Sequence, residues 1–159
     1  MAGGLRTMHD RLVLRLFHLW FVLTRPMTLG VRAMVIDEGG RVLLVRHTYV
    51  PGWHLPGGGV EKGETALAAL ARELEEEGNI VIAEAPRLHG LFFNNAVSPR
   101  DHVAVYLVRG FRQNGPRLPD REIAEARFFA RDALPAGVSR ATLARLAEIL
   151  DDAPMSPIW

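Results

Sequence analysis

Hydrophobic and polar positions recur along this chain with two different periods, and the changes of period divide it. Over residues 5–23 the pattern is helical. Arg11, Arg15 and His18 fall at i, i+4 and i+7 as one narrow polar stripe, and Leu12, Leu14, Leu16, Phe17, Leu19, Trp20, Phe21 and Leu23 supply an apolar remainder. Arg25-Pro26 ends this element, because proline disfavours helical backbone in the residue before it. From Gly30 the period shortens. "VRAMVID" (31–37) and "RVLLVRH" (41–47) predict two strands, with Glu38-Gly39-Gly40 between them as a hairpin signal. The glycine- and proline-rich residues 48–64 predict an extended loop. A helix over 66–77 follows, with Thr65 as its cap and Leu67, Leu70, Ala71 and Leu74 as its buried face.

Shorter strands come next: "IVIA" (80–83), "HGLFFN" (89–94), "HVAVYLVRGF" (102–111) and "EARFFA" (125–130). A second amphipathic helix is expected over 139–151, with Ser139 as cap and Leu143, Leu146, Ala147 and Leu150 inward. The tail "APMSPIW" predicts no element. Strands outnumber helices and do not alternate regularly with them, which favours a mixed sheet flanked by helices over a doubly wound parallel one. No repeat, low-complexity block or linker interrupts the chain, and 159 residues suit one domain. The expected organisation is an amphipathic extension over 1–26 and a single domain over 27–159.

Composition narrows the chemistry. The absence of cysteine removes disulfides, thiolate nucleophiles and zinc–thiolate sites, and it is compatible with the cytoplasm as compartment. A formal net charge of +1 argues against broad electrostatic capture of nucleic acid, so no stable nucleic-acid partner is expected. The most apolar run, "LVLRLFHLWFVL" (12–23), is too short and too interrupted by Arg15 and His18 to span a bilayer, and no small-residue cleavage pattern follows it. The helix that contains it is expected to pack on the domain or on a second copy as a homodimer. An in-plane membrane contact through residues 5–23 is the alternative.

The helix over 66–77 carries a local conflict. Glu73, Glu76 and Glu77 stand at i, i+3 and i+4 and are expected to project together, opposite the leucines. Like charges at those spacings cost a few tenths of a kcal/mol per pair, roughly, and the negative end of the helix dipole adds to the cost. Arg72 relieves part of it through an i, i+4 pair with Glu76. Two readings remain open on spacing alone: a solvated charged face, or a site for a hard divalent cation. Oxygen-only ligands suit Mg²⁺ or Mn²⁺, and glycines ahead of the helix let backbone approach such a cation closely.

The same segment resembles the Nudix box, G-x5-E-x7-R-E-U-x-E-E-x-G-U, where U is a bulky aliphatic. Gly58, Glu64, Arg72, Glu73, Leu74, Glu76, Glu77 and Ile80 fill eight of its nine specified positions, and Asn79 stands where the second glycine belongs. The lead-in "WHLPGGG" and the later "DHVAVYLV" and "EIAEARFF" extend the resemblance over roughly residues 30–150. It implies an α+β protein with the α/β/α sandwich of Nudix hydrolases, and a pyrophosphohydrolase of nucleoside diphosphate derivatives that uses Mg²⁺ or Mn²⁺. By position it implies Glu76 and Glu77 as main metal ligands, Glu73 as further ligand or general base, and the Gly57 carbonyl as an added donor. It further implies Arg72 as orienting group, Glu64 as support, and Gly58 and Gly59 as the loop that faces substrate. An acid from a later loop often joins such sites, and here Glu122 and Glu125 are the candidates, with Asp120 weaker. Asn79 is expected to take the left-handed cap that glycine usually supplies.

Around the box, Trp53 and His54 could line a base pocket, although a Trp there equally suits a structural lid. Arg46 and Arg100 could meet a substrate phosphate, against the plainer reading of solvated arginines. Phe92, Phe93 and Tyr106 are expected in the core, and the histidines show no ligand spacing.

Overall fold

The computed structural model describes residues 14–17, 19–21, 24 and 26–159. Residues 14–17, 19–21 and 24 are helical, and Leu14, Leu16, Phe17, Leu19 and Trp20 are all exposed. Arg11, Leu12, His18, Leu23 and Arg25 of the expected first helix lie outside the described residues. Among the described residues no helix is long and apolar enough to cross a membrane.

Seven strands and two further helices follow: β1 (Thr28–Val35), β2 (Val42–His47), α1 (Ala66–Gly78), β3 (Ile80–Ile82), β4 (Arg87–Phe93), β5 (Asp101–Val108), β6 (Phe111–Gln113), β7 (Ile123–Phe129) and α2 (Arg140–Leu150). The turn between β1 and β2 forms as its glycines require. Gly40 takes φ +73 and donates to the Asp37 carbonyl at 2.9 Å. The strands it joins do not go on to form a hairpin ladder, and touch as a pair only at the Ile36–Val42 bridge. β1 instead pairs in parallel with β5, from Thr28–Asp101 to Val35–Val108, and β2 pairs antiparallel with β7. β4 completes the first sheet on the other side of β5, while β3 and β6 pair separately. The sheet is therefore mixed, and the parallel pair demands a long crossover. That crossover contains the acidic helix.

Both helical layers can be read from the strand alternation. On β1, Val31, Ala33 and Val35 face the same core as Leu43, Ala69, Leu70, Leu74 and Ile80, under α1. Met34 and Ile36 face the other way, with Val42, Leu44, Leu55 and Leu146, under α2. Strands buried on both faces read as continuous apolar runs, which is why "RVLLV" shows no period-2 pattern. The result is the α/β/α sandwich.

Three expectations about faces and breaks need correction. On α1 the buried stripe is Ala69, Leu70, Leu74, Glu77 and Gly78, whereas Leu67 is 50% exposed and Ala71 is exposed as well. Glu77 therefore continues the leucine face instead of opposing it, since 70, 74 and 77 stand one and two turns apart. On α2 Leu143 is exposed, and the inward face is Thr142, Arg145, Leu146 and Glu148. The expected strand over 102–111 breaks at Arg109-Gly110 into β5 and β6. The break lets the Gly110 carbonyl accept from Ala83 and Glu84, and a side chain at 110 would collide with Glu84.

The C-terminal tail is ordered by a buried charge. Arg145 is fully buried, donates to Glu148 at 2.6 Å and to the Ile158 carbonyl at 3.2 Å, and lies 3.7 Å over the Phe92 ring. Glu148 also accepts from the Ser156 amide, and stands 3.0 Å from His89 Nε2. Phe93 pairs with the tail through both backbone groups: its N–H donates to the Pro157 carbonyl, and its carbonyl accepts from the Trp159 N–H.

Candidate active site

The end of β2, the glycine loop and the last turns of α1 meet at an open cleft of about 740 Å³. α1 begins where Thr65 accepts from the Ala68 amide at 3.1 Å, and ends where Asn79 takes φ 53, ψ 34 and donates its amide back to the Glu75 carbonyl. The expected left-handed cap is present on a non-glycine residue. That geometry sets the rotation of the last turn and hence the directions of Glu73, Glu76 and Glu77.

The glycine loop is held against β1 by close backbone approach. Val31 N–H donates to Gly58 at 2.8 Å and Ala33 N–H to Pro56 at 2.9 Å. Gly57 has φ +137 and packs so tightly that a Cβ would overlap the Val31 carbonyl; at Gly58 a Cβ would overlap the Glu73 carboxylate. Only glycine fits at 57, whereas a side chain at 58 would displace the Glu73 carboxylate. Arg32, missed in the sequence, reaches from β1 to donate to the carbonyls of Leu55 (3.1 Å) and Gly57. An arginine inside the apolar run "VRAMV" was the available signal.

Glu77 is the conflicted carboxylate. It accepts from the Gly57 amide at 2.7 Å, but burial, reinforced by Glu73 and Glu76, pushes its pKa up to about 7. His47 Nε2 stands 3.5 Å from its other oxygen. His47 reaches this place because the β2–β7 register shifts between Arg46 and His47, and such an irregularity re-aims a side chain. Burial first, then Arg32 and His54, lower the His47 pKa and keep the imidazole neutral.

Arg72 ties the helix to the loop. It binds Glu64 through two nitrogens (3.1 and 3.2 Å), Glu73 at 2.8 Å, the Gly59 carbonyl at 3.2 Å and Glu76 at 3.4 Å. The expected pair with Glu76 is thus the longest of its contacts. Hydrogen bonding to Arg72 holds Glu64 below the usual carboxylate range. As they stand, no three acidic or histidine side chains among the described residues are grouped to hold an ion, because Glu73 is turned onto Arg72 and Glu77 onto Gly57.

The cleft gathers Gly57, Gly58, Gly59, Arg72, Glu73, Glu76, Glu77, Asp120 and Glu122 from the sequence-based candidates, together with His54. It adds Arg32, His47, Tyr49, Val50, Arg117 and Ile123, which sequence reasoning did not select. Five candidates lie outside this lining, Glu64 among them as the anchor of Arg72. Trp53 is buried edge-on against Phe129 at 4.9 Å; Arg46 covers the Trp53 ring and pairs at 3.1 Å with Glu125, its cross-strand neighbour. Glu125 is occupied by Arg46 and by Arg127 at 3.7 Å. Arg100 sits in the exposed turn before β5.

The comparisons place this geometry among known proteins. The NUDIX domain pattern matches residues 26–151. An ADP-ribose pyrophosphatase of Methanocaldococcus jannaschii is 31% identical over 104 residues, 64% of this chain and 61% of that protein. An RNA pyrophosphohydrolase of Halorhodospira halophila is 49% identical over 48 residues, 30% of this chain and 26% of that protein. A crystal structure of a MutT NUDIX hydrolase from Burkholderia pseudomallei superposes with a TM-score of 0.66 at 30% identity, over 77% of this chain and 97% of the other. The matches span 26% to 61% of the length of these curated relatives.

Proposed function

The chain belongs to the NUDIX family, and from that premise we propose that it hydrolyses the pyrophosphate bond of a nucleoside diphosphate derivative or nucleoside triphosphate, releasing a nucleoside monophosphate. The observation that carries this reading is Glu77, a carboxylate whose burial, reinforced by Glu73 and Glu76, raises its pKa to about 7 in an arginine-lined cleft. Arg32 only partly offsets that burial, and the other side chains acting on Glu77 are carboxylates and an imidazole. That chemistry fits a hard divalent cation.

Glu73, Glu76, Glu77 and the Gly57 carbonyl would hold Mg²⁺ or Mn²⁺. Such a cation, when bound, neutralises the diphosphate and acidifies the attacking water. The protein's own groups supply the rest. Arg72, anchored on Glu64, fixes the turn that presents Glu73 and Glu76. Arg32 fixes the Gly57 carbonyl. Glu73, adjacent to the Gly58 backbone, accepts the proton from water or serves as a further ligand. Glu122 approaches from the loop before β7 and is the later acid; Glu125 is engaged elsewhere.

The cleft volume suits a nucleotide-sized ligand. Similarity to an ADP-ribose pyrophosphatase and to an RNA pyrophosphohydrolase supports a nucleotide substrate, and near-neutral charge favours a small molecule. The test is a panel of ADP-ribose, oxidised and ordinary nucleoside triphosphates, dinucleoside polyphosphates, nucleotide sugars and triphosphorylated RNA, assayed with Mg²⁺ and with Mn²⁺. We expect a nucleoside monophosphate from at least one small nucleotide. Glu76→Gln should remove that turnover with an unchanged melting temperature, because the Glu76 side chain is 59% exposed. No nucleotide product from any member, with either metal, would sink the reading.

A further inference from the structure

Asn79 is the one specified position at which the chain departs from the Nudix box, and the left-handed cap accounts for only half of what this residue does. Glycine, asparagine and aspartate all reach φ 53 with little strain, but only asparagine carries a side-chain donor there. Asn79 uses it. Its Nδ2 donates to the Pro116 carbonyl at 3.1 Å, across to the loop between β6 and β7. The last residue of β6 and that loop return three bonds to the end of α1 and its cap. Asn114 N–H donates to the Asn79 carbonyl at 3.0 Å, Gln113 Nε2 to the Gly78 carbonyl at 3.0 Å, and Arg117 Nε to the Glu76 carbonyl. Helix carbonyls without an intrahelical partner are thereby satisfied from outside the helix. Arg117 also places a cation at the negative end of the dipole, where α1 itself has no basic residue.

The tethered loop then turns into the cleft. Arg117 binds Asp120; Asp120 accepts the amides of Glu122 and Ile123, both at 2.8 Å; and Arg117, Asp120, Glu122 and Ile123 all line the same cleft as the glycine loop. One chain of bonds runs from the cap of the acidic helix to the lining of that cleft.

Resting on the hydrolase reading above, we propose that Asn79 is a positioning residue. Its side-chain amide locks the 114–117 end of that loop onto the end of α1, and so sets where Arg117 meets the substrate. The inference concerns the side chain alone, since glycine at 79 would preserve both the cap and the Asn114 bond.

The experiment compares Asn79→Gly, which restores the motif residue, and Asn79→Asp, which keeps the cap but cannot donate. Two readouts are taken on the intact chain: the rate of tryptic cleavage after Arg117 and Arg121, and KM, kcat and the Mg²⁺ half-saturation for the nucleotide turned over by the parent. We expect faster cleavage at both arginines and a rise of about fivefold in KM, the scale of one lost hydrogen bond. The kcat and the metal half-saturation should stay within twofold. An unchanged KM, or a fall in kcat with weakened metal dependence at constant KM, overturns the proposal in favour of a plain helix cap. If the parent turns over no nucleotide, the hydrolase reading fails by itself. The tryptic rates then still decide the tether, and equal rates in all three proteins refute it.

Discussion

Replacing Glu77 by Gln should separate stability from function in a way that few active-site substitutions do. Its pKa rises from an ordinary 4.5 to about 7 in the folded chain. Each tenfold displacement is ~1.4 kcal/mol, so ionised Glu77 costs the metal-free fold ~3 kcal/mol. The folded state binds the proton more tightly than the unfolded state. The cost is therefore absent below pH 4.5, grows between pH 4.5 and 7, and is complete above pH 7. His47 does not repay it at pH 8, because burial keeps that imidazole neutral. Gln retains an oxygen for the Gly57 amide, and the charge-assisted strength of that bond is already contained in the displaced pKa. The net expectation in EDTA at pH 8 is therefore a gain of ~3 kcal/mol, a rise in melting temperature of roughly 6–12 °C for a chain of this size. At pH 5, where the folded chain holds Glu77 protonated, the gain shrinks to below ~1 kcal/mol. Mg²⁺ should raise the melting temperature of the parent and leave that of the variant in place, while turnover is lost. Differential scanning calorimetry at both pH values, with and without metal, measures all of this. A variant less stable than the parent at pH 8 in EDTA, or a gap independent of pH, would refute the reasoning.

Two more substitutions test the cleft wall and the core. Glu122→Gln should lower kcat at least tenfold with little thermal effect, whereas Glu125→Gln should leave kcat within twofold, since Glu125 faces Arg46 and Arg127; a larger loss at 125 reverses the assignment of the later acid. Glu148→Ala strands the buried Arg145 guanidinium, which should cost ~3–5 kcal/mol in urea unfolding. A loss under ~1 kcal/mol would show that the Ile158 carbonyl, Phe92 and Trp159 hold that arginine without it.

The box was legible because its chemistry fixes spacing, and spacing survives in one dimension. Strand positions were legible for the same reason. What was hidden depends on partners distant in sequence. The hairpin signal at 38–40 was correct as a turn, but β1 and β2 take partners beyond residue 100, and no local pattern declares that. The face of α1 was misjudged because a glutamate occupies a buried position, and any hydrophobic count treats Glu77 as surface. On α2 the inward Arg145 and Glu148 misled the same rule. Among the candidates, Arg46, Trp53 and Glu125 are typical of a nucleotide site in kind, yet they satisfy one another along β2 and β7 and leave the cleft to Arg32, His47 and Arg117.

The parallel pairing of β1 with β5 has a consequence for how the chain comes into being. Residues 28–80 contain the two strands before the box and the box itself, yet each of those strands waits for a partner near residue 101 or 123. A nascent chain that has just released its catalytic helix has no ladder to lay it on, and must hold an apolar, acid-tipped segment through a long loop closure. The acidic helix and the segment bearing Glu122 can meet only after the ribosome has delivered the chain up to β7, so the cleft is completed well after its box has emerged.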